Sequence, residues 1–167
     1  MKKRNFLLLP LVLVLVSLHT AWSQSFPDRV IGQWTGIMHM YKDGNVRDSV
    51  KIRLKVVRGA TANTWSWKTE YLSEKMPMTK DYTLKQGESS STYLLDEGGG
   101  IVLQDYQFGN KLYSVFETHD VLLTSTYELR GEELVFEVTS GKKIPGGTEV
   151  INFTVQFLQR AVLRRSP

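Results

Sequence analysis

His39 and His119 are the two imidazoles of the chain beyond residue 23, which makes them the first candidates for metal or haem ligation and for acid–base work. His119 lies in Glu117-Thr118-His119-Asp120, where a neighbouring carboxylate would orient the ring. Neither histidine has a second ligand at metal-binding spacing, so the sequence assigns no metal. Glu70 and Asp81 would make a carboxylate pair only if adjacent strands brought them together. Ser89-Ser90-Ser91, flanked by Gly87 and Glu88, reads as a flexible turn, and no Gly-x-Ser-x-Gly elbow occurs. The absence of cysteine removes thiolate nucleophiles, disulfides and cysteine-held metals. No catalytic residue and no cofactor are assigned on these grounds.

A softer chemistry is better represented. Trp65, Trp67 and Tyr71 fall at every second residue or at a multiple of it, and Met38 and Met40 share a parity with Trp34. Flat aromatic and adaptable thioether side chains gathered on one interior face would line a pocket for an apolar or amphipathic small molecule. The same side chains would also simply fill a narrow barrel.

Either outcome requires strands to hold these residues. From Arg29 onward the chain shows no helical period longer than a turn, whereas period-two alternation recurs throughout. Ten candidate strands follow, the first Gln33–Tyr41 and the last Glu149–Leu158. Val50, Ile52, Leu54 and Val56 alternate with Lys51, Arg53 and Lys55, giving one aliphatic and one basic face. Ile151, Phe153, Val155 and Phe157 alternate with Asn152, Thr154 and Gln156 in the same way. Tight turns at Asp43-Gly44, Gly109-Asn110 and Gly131 make successive strands antiparallel neighbours. With no helix to cover a sheet, an all-β, helix-poor meander barrel of about eight to ten strands hides the dry face and removes the edges. A two-sheet sandwich is the rival closure.

The charge balance restricts the partners. Lys2, Lys3 and Arg4 account for three of the four net positive charges, so residues 24–167 carry +1. Nothing in that balance marks a nucleic-acid-binding chain. The basic start, the apolar run Phe6 to Leu18 and the small residues Ala21 and Ser23 form the three-part pattern of a signal peptide over residues 1–23. Cleavage after Ser23 leaves 24–167 as a single domain, periplasmic or secreted, with no stable membrane span, since the apolar run is shorter than the roughly 18 to 20 residues a spanning helix needs. Oligomeric state is not encoded in any of these features.

Ile31-Gly32-Gln33-Trp34-Thr35-Gly36 opens the first strand. A Gly-x-Trp in this place resembles the signature of the lipocalins and the wider calycin superfamily of β-barrels. The resemblance implies that Trp34 plugs the closed end, with Gly32 beside it and a basic residue of the last strand packed across the indole. Arg160 is the match for that residue, with Arg164 a second choice. Two departures set this chain apart from the typical lipocalin. Ser140 to Glu149, broken by Pro145-Gly146-Gly147, is too short for the helix that precedes the final strand, and Gln104-Asp105-Tyr106 only partly echoes the Thr-Asp-Tyr type loop motif. The chain is closer to helix-poor, exported bacterial lipocalin-like domains.

The expected function is the binding of a small apolar or amphipathic ligand in the barrel, with Met38, Met40, Trp65, Trp67 and Tyr71 as the pocket. An alternative is a packed barrel that serves as an envelope interaction domain through the Lys51, Arg53, Lys55 stripe and the Arg160 to Arg165 tail. An enzyme using Tyr, Asp or His in the barrel mouth is a third reading.

Overall fold

The computed structural model describes residues 24–146 and 149–166, so the signal-peptide reading of residues 1–23 lies outside the described residues. The described chain opens with one turn of helix, α1 (Phe26–Arg29). Ser25 caps it by accepting from the Asp28 amide at 3.4 Å, Pro27 fits its first turn, and Asp28 and Arg29 carry the charges that suit its start and end. Ten strands follow: β1 (Gly32–Lys42), β2 (Asn45–Arg58), β3 (Thr64–Tyr71), β4 (Met78–Gln86), β5 (Thr92–Gly98), β6 (Ile101–Phe108), β7 (Lys111–Thr118), β8 (Val121–Arg130), β9 (Glu133–Lys142) and β10 (Phe157–Arg165).

Every strand pairs antiparallel with its sequence neighbours, and β10 pairs with β1 to close the barrel. Closure settles the choice between barrel and sandwich. No helix of the described residues is long and apolar enough to cross a membrane.

Packing fills the barrel from one end. Phe26, Val30, Trp34, Trp65 and Tyr93 are buried where the chain enters β1. Trp34 Nε1 donates to the Val30 carbonyl at 2.8 Å, and Trp65 Nε1 donates to Asp28 Oδ1 at 2.8 Å. The Phe26 amide and the Tyr93 hydroxyl both donate to Gln107 Oε1 at 3.0 Å. The helix thus seals one end, with its polar atoms answered by Trp65 of β3 and Gln107 of β6.

Arg165, not Arg160, is the basic residue on Trp34. Its guanidinium carbon lies 4.4 Å from the ring centroid, and its two terminal nitrogens donate to the Ile31 and Arg29 carbonyls. Gly32 makes room for it: a Cβ there would come within 2.7 Å of Arg165 Nη1, and the φ of 133° disfavours other residues. Arg160 sits five residues earlier with the opposite parity, so it faces outward and its Nε meets Glu137 at 3.2 Å. Arg164 faces outward too, onto Glu133 at 2.8 Å.

The same displacement corrects the last strand. Pairing with β1 and β9 runs over Phe157–Arg165 rather than 149–158. Residues 143–146 and 149–156 lie outside the strands and fold back along β9, held by Ile144 N to Asn152 O and Thr154 N to Lys142 O, both 2.8 Å. Gly141 permits this approach, because the Thr154 carbonyl occupies the space where a Cβ would stand. Ile151 and Val155 are exposed at 57% and 70%. Their alternation continues in phase through Ala161 and Leu163, so period alone could not show where pairing begins.

Trp34→Ala is expected to cost about 3–5 kcal/mol, as truncation of a buried aromatic does. Arg165→Ala should cost about 1 kcal/mol or more through its cation–π contact and two hydrogen bonds, and Arg160→Ala about 0.5 kcal/mol or less, as for an exposed ion pair. Urea titrations of the three variants check the assignment, and equal losses at the two arginines would contradict it.

Candidate functional site

Ten strands enclose more room than the eight whose own side chains suffice to fill a barrel. The aromatic plug and the layer above it use the lower part. Trp67 meets Tyr127 edge to face at 5.0 Å, and Tyr127 stacks on Phe136 at 4.3 Å. Beyond this layer the interior opens toward the β1–β2, β3–β4 and β5–β6 turns.

Two cavities occupy that end. The outer one, about 850 Å³, lies between β1, β2, β3, β4 and the β3–β4 loop, lined by Met40, Val50, Tyr71, Leu72, Met76 and Met78 with Lys80 and Gln159. Its volume falls within the range of small-molecule sites. The inner one, about 110 Å³, reaches into the barrel, and Tyr71 and Lys80 line both. Tyr82, Glu97, Asp105, Ser114 and Tyr127 also face the inner cavity.

Of the residues singled out from sequence, Met40 and Tyr71 stand in the cavity walls. Met38, Trp65 and Trp67 are at most 2% exposed and pack below, because inward residues nearer the start of β1 and β3 fall at the sealed end. His39 is exposed on the outer face and His119 in the β7–β8 turn with φ 48°, so neither reaches the cavity. Among the described residues no three His, Cys, Asp or Glu side chains gather as a metal site. Glu70 does not pair with Asp81; it takes Arg53 at 2.9 Å, which also neutralises the middle of the basic stripe.

The residues that reasoning from sequence missed are the charged ones at the mouth end of inward rows. Lys80 shares a face with Tyr82 and Leu84, Glu97 with Tyr93 and Leu95, and Asp105 with Leu103 and Gln107. A charge breaking an inward apolar row is the signal that marks them.

Asp105 is the most constrained of them. It is 5% exposed, between Tyr93 on β5 and Ser114 on β7, and its Oδ1 has no hydrogen-bond partner. Burial pushes its carboxyl up to about 7; the Glu97 charge adds to the shift and the Ser114 hydroxyl opposes it. Burial likewise raises Tyr71, Tyr82 and Tyr127, so all three are neutral phenols at physiological pH. Lys80 Nζ lies 6.0 Å from the Tyr82 ring centroid. The arrangement is a vestibule of mixed lining, where Asp48, Lys51, Glu74 and Lys75 stand among the apolar side chains, over a small polar floor.

No protein-family model matches the sequence, and no curated protein matches it. Solved structures do match. The S-type phycobiliprotein lyase CPES from Guillardia theta superposes with a TM-score of 0.59 at 10% identity, over 85% of this chain and 91% of that one. A DUF3598-family protein of unknown function from Nostoc punctiforme gives 0.60 at 14% identity over 84% of this chain, which spans 49% of that protein's length. Rv2717c from M. tuberculosis gives 0.50 at 13% identity, over 82% and 92%. At such identities the likeness is one of fold, a closed antiparallel meander barrel of lipocalin-like form.

Asp105 gives the site a pH signature. Its folded pKa of about 7 lies above the ordinary 3.8, so between those values the folded chain holds a proton that the unfolded chain has lost. Stability therefore falls as pH rises through that window. The expected loss between pH 5 and pH 8 is about 3 kcal/mol at 1.36 kcal/mol per unit. Asp105→Asn should flatten this slope in urea titrations at the two pH values, and an unchanged slope would show that Asp105 is not its source.

Proposed function

We propose that this chain is an exported lipocalin-like protein that binds a small apolar or amphipathic molecule in the mouth of its barrel. The observation that carries this reading is the cavity of about 850 Å³, walled by Met40, Val50, Tyr71, Leu72, Met76 and Met78, above a sealed and filled closed end. Export rests on the pattern of residues 1–23, with Gln24 as the expected first residue of the mature protein.

Magnitudes indicate what such a site needs. An apolar body of about 200 Å², comparable to one large aromatic side chain, contributes ~5 kcal/mol at about 25 cal/mol per Å². Association costs about 4 kcal/mol or more. Hydrophobic burial of that size yields only weak binding, so useful affinity requires a longer apolar body or polar contacts at the floor.

The alternative, a barrel that works through its outside, has one observation in its favour. Tyr106, Phe108 and Val115 are exposed at 43%, 67% and 63% and surround Tyr113 on the outer face of β6 and β7.

Native mass spectrometry of the mature protein from its own host decides between them. The expected result is an N-terminus at Gln24 and a stoichiometric adduct of a few hundred daltons. Met40→Trp, which places a large ring in the vestibule, should weaken binding of the extracted compound by about tenfold or more with little change in melting temperature. A clean apo mass and no tryptophan-fluorescence response to lipids, haem and aromatic metabolites would overturn the carrier reading and favour the outer surface.

A further inference from the structure

We propose that Asp105 and the tyrosines around it form an ammonium-binding subsite at the floor of the mouth, so that the ligand is an amphipathic amine whose apolar part fills the vestibule. The inference rests on the barrel-ligand reading and narrows it to a class of headgroup.

Three observations carry it. First, Asp105 Oδ1 is a buried acceptor with no partner, in a side chain that is 95% buried and lines the inner cavity. A buried acceptor left unpaired is costly, and a donor arriving on a ligand removes that cost. Second, Tyr71 and Tyr82 line the same small space, with Tyr127, whose ring is stacked on Phe136, behind them. Aromatic faces beside a carboxylate are the elements of a cage for an alkylated ammonium. Lys80 already places its own ammonium near one of these rings. Third, the charged groups on the inner cavity's wall are Asp105, Glu97 and Lys80, two potential anions against one cation. With Asp105 protonated, Glu97 and Lys80 balance each other, so a ligand cation is matched by ionising Asp105, whereas a ligand carboxylate would set a further acid beside Asp105 and Glu97.

Size divides the ligand between the two cavities. The inner cavity, about 110 Å³ against about 850 Å³ outside it, is the smaller and more enclosed of the two and suits a headgroup. The body of the ligand belongs in the larger space, past Tyr71 and Lys80. Ionisation of Asp105 would accompany entry of the cation, forming a charge-assisted contact in a site of low polarity.

Three probes with the same chain test the proposal on the full mature protein: decyltrimethylammonium, decanoate and 1-decanol, each titrated below its aggregation limit and followed by tryptophan fluorescence and calorimetry. The cation is expected to bind one to one, about tenfold or more tighter than either other probe. Asp105→Asn should reduce that preference to about threefold or less. Binding of all three with no preference for the cation, or a preference that survives in Asp105→Asn, overturns the ammonium subsite while leaving the barrel-ligand reading in place. Failure of all three to bind overturns both. Should Asp105→Asn not fold, the wild-type panel decides the headgroup alone, and Tyr82→Leu, which removes one face of the cage, replaces it with the same expected loss of preference.

Discussion

A guanidinium seated on an indole fastens the sealed end of the barrel. Arg165, the last residue of β10, lies across Trp34, the third residue of β1, and donates to the carbonyls of Arg29 and Ile31. One side chain thus joins the two strands that must meet for closure to the helical turn that seals them. The contact is available only because Gly32 lacks a Cβ and Trp34 is already fixed by its hydrogen bond to Val30. The backbone ladder of β1 and β10, running from Trp34 opposite Arg165 to Lys42 opposite Phe157, leaves neither strand an edge, and this junction fastens one end of it.

Sealing one end determines what the other can do. Phe26, Trp34, Trp65 and Tyr93 concentrate the bulk of the aromatic volume around α1, and Trp67, Tyr127 and Phe136 form the next layer. Core burial must stabilise this domain without disulfides, and the large side chains do so in the lower part of the barrel. The upper part is released from that duty. It contains smaller and polar inward groups, Ser114, Ser125 and Thr69 among them, and it is there that empty volume remains.

Asp105 shows the tension between stability and use. A carboxyl at that depth destabilises the folded chain once ionised, and its Oδ1 gains nothing from the protein in return. Leu or Asn would suit an interior that only had to be filled. An acid there, on one wall with three neutral phenols and Lys80, leaves an acceptor that a donor entering the space would satisfy.

Much of this was legible in the chain of residues. Alternation such as Val50-Ile52-Leu54-Val56 against Lys51-Arg53-Lys55 dictates half-buried strands, and Asp43-Gly44 and similar turns dictate sequential antiparallel pairing, because side-chain period and turn chemistry are local properties. Gly32 and Trp34 announced the closed end. What local properties do not contain is register between distant strands. Ile151 to Val155 and Phe157 to Leu163 share one parity, and only pairing with β1 and β9 selects the second as strand, which in turn seats Arg165 rather than Arg160 on Trp34. Depth along the barrel is equally non-local. Trp65 and Tyr71 share a face six residues apart, yet one is core and the other cavity wall, because closure at one end alone gives the interior a floor and a mouth.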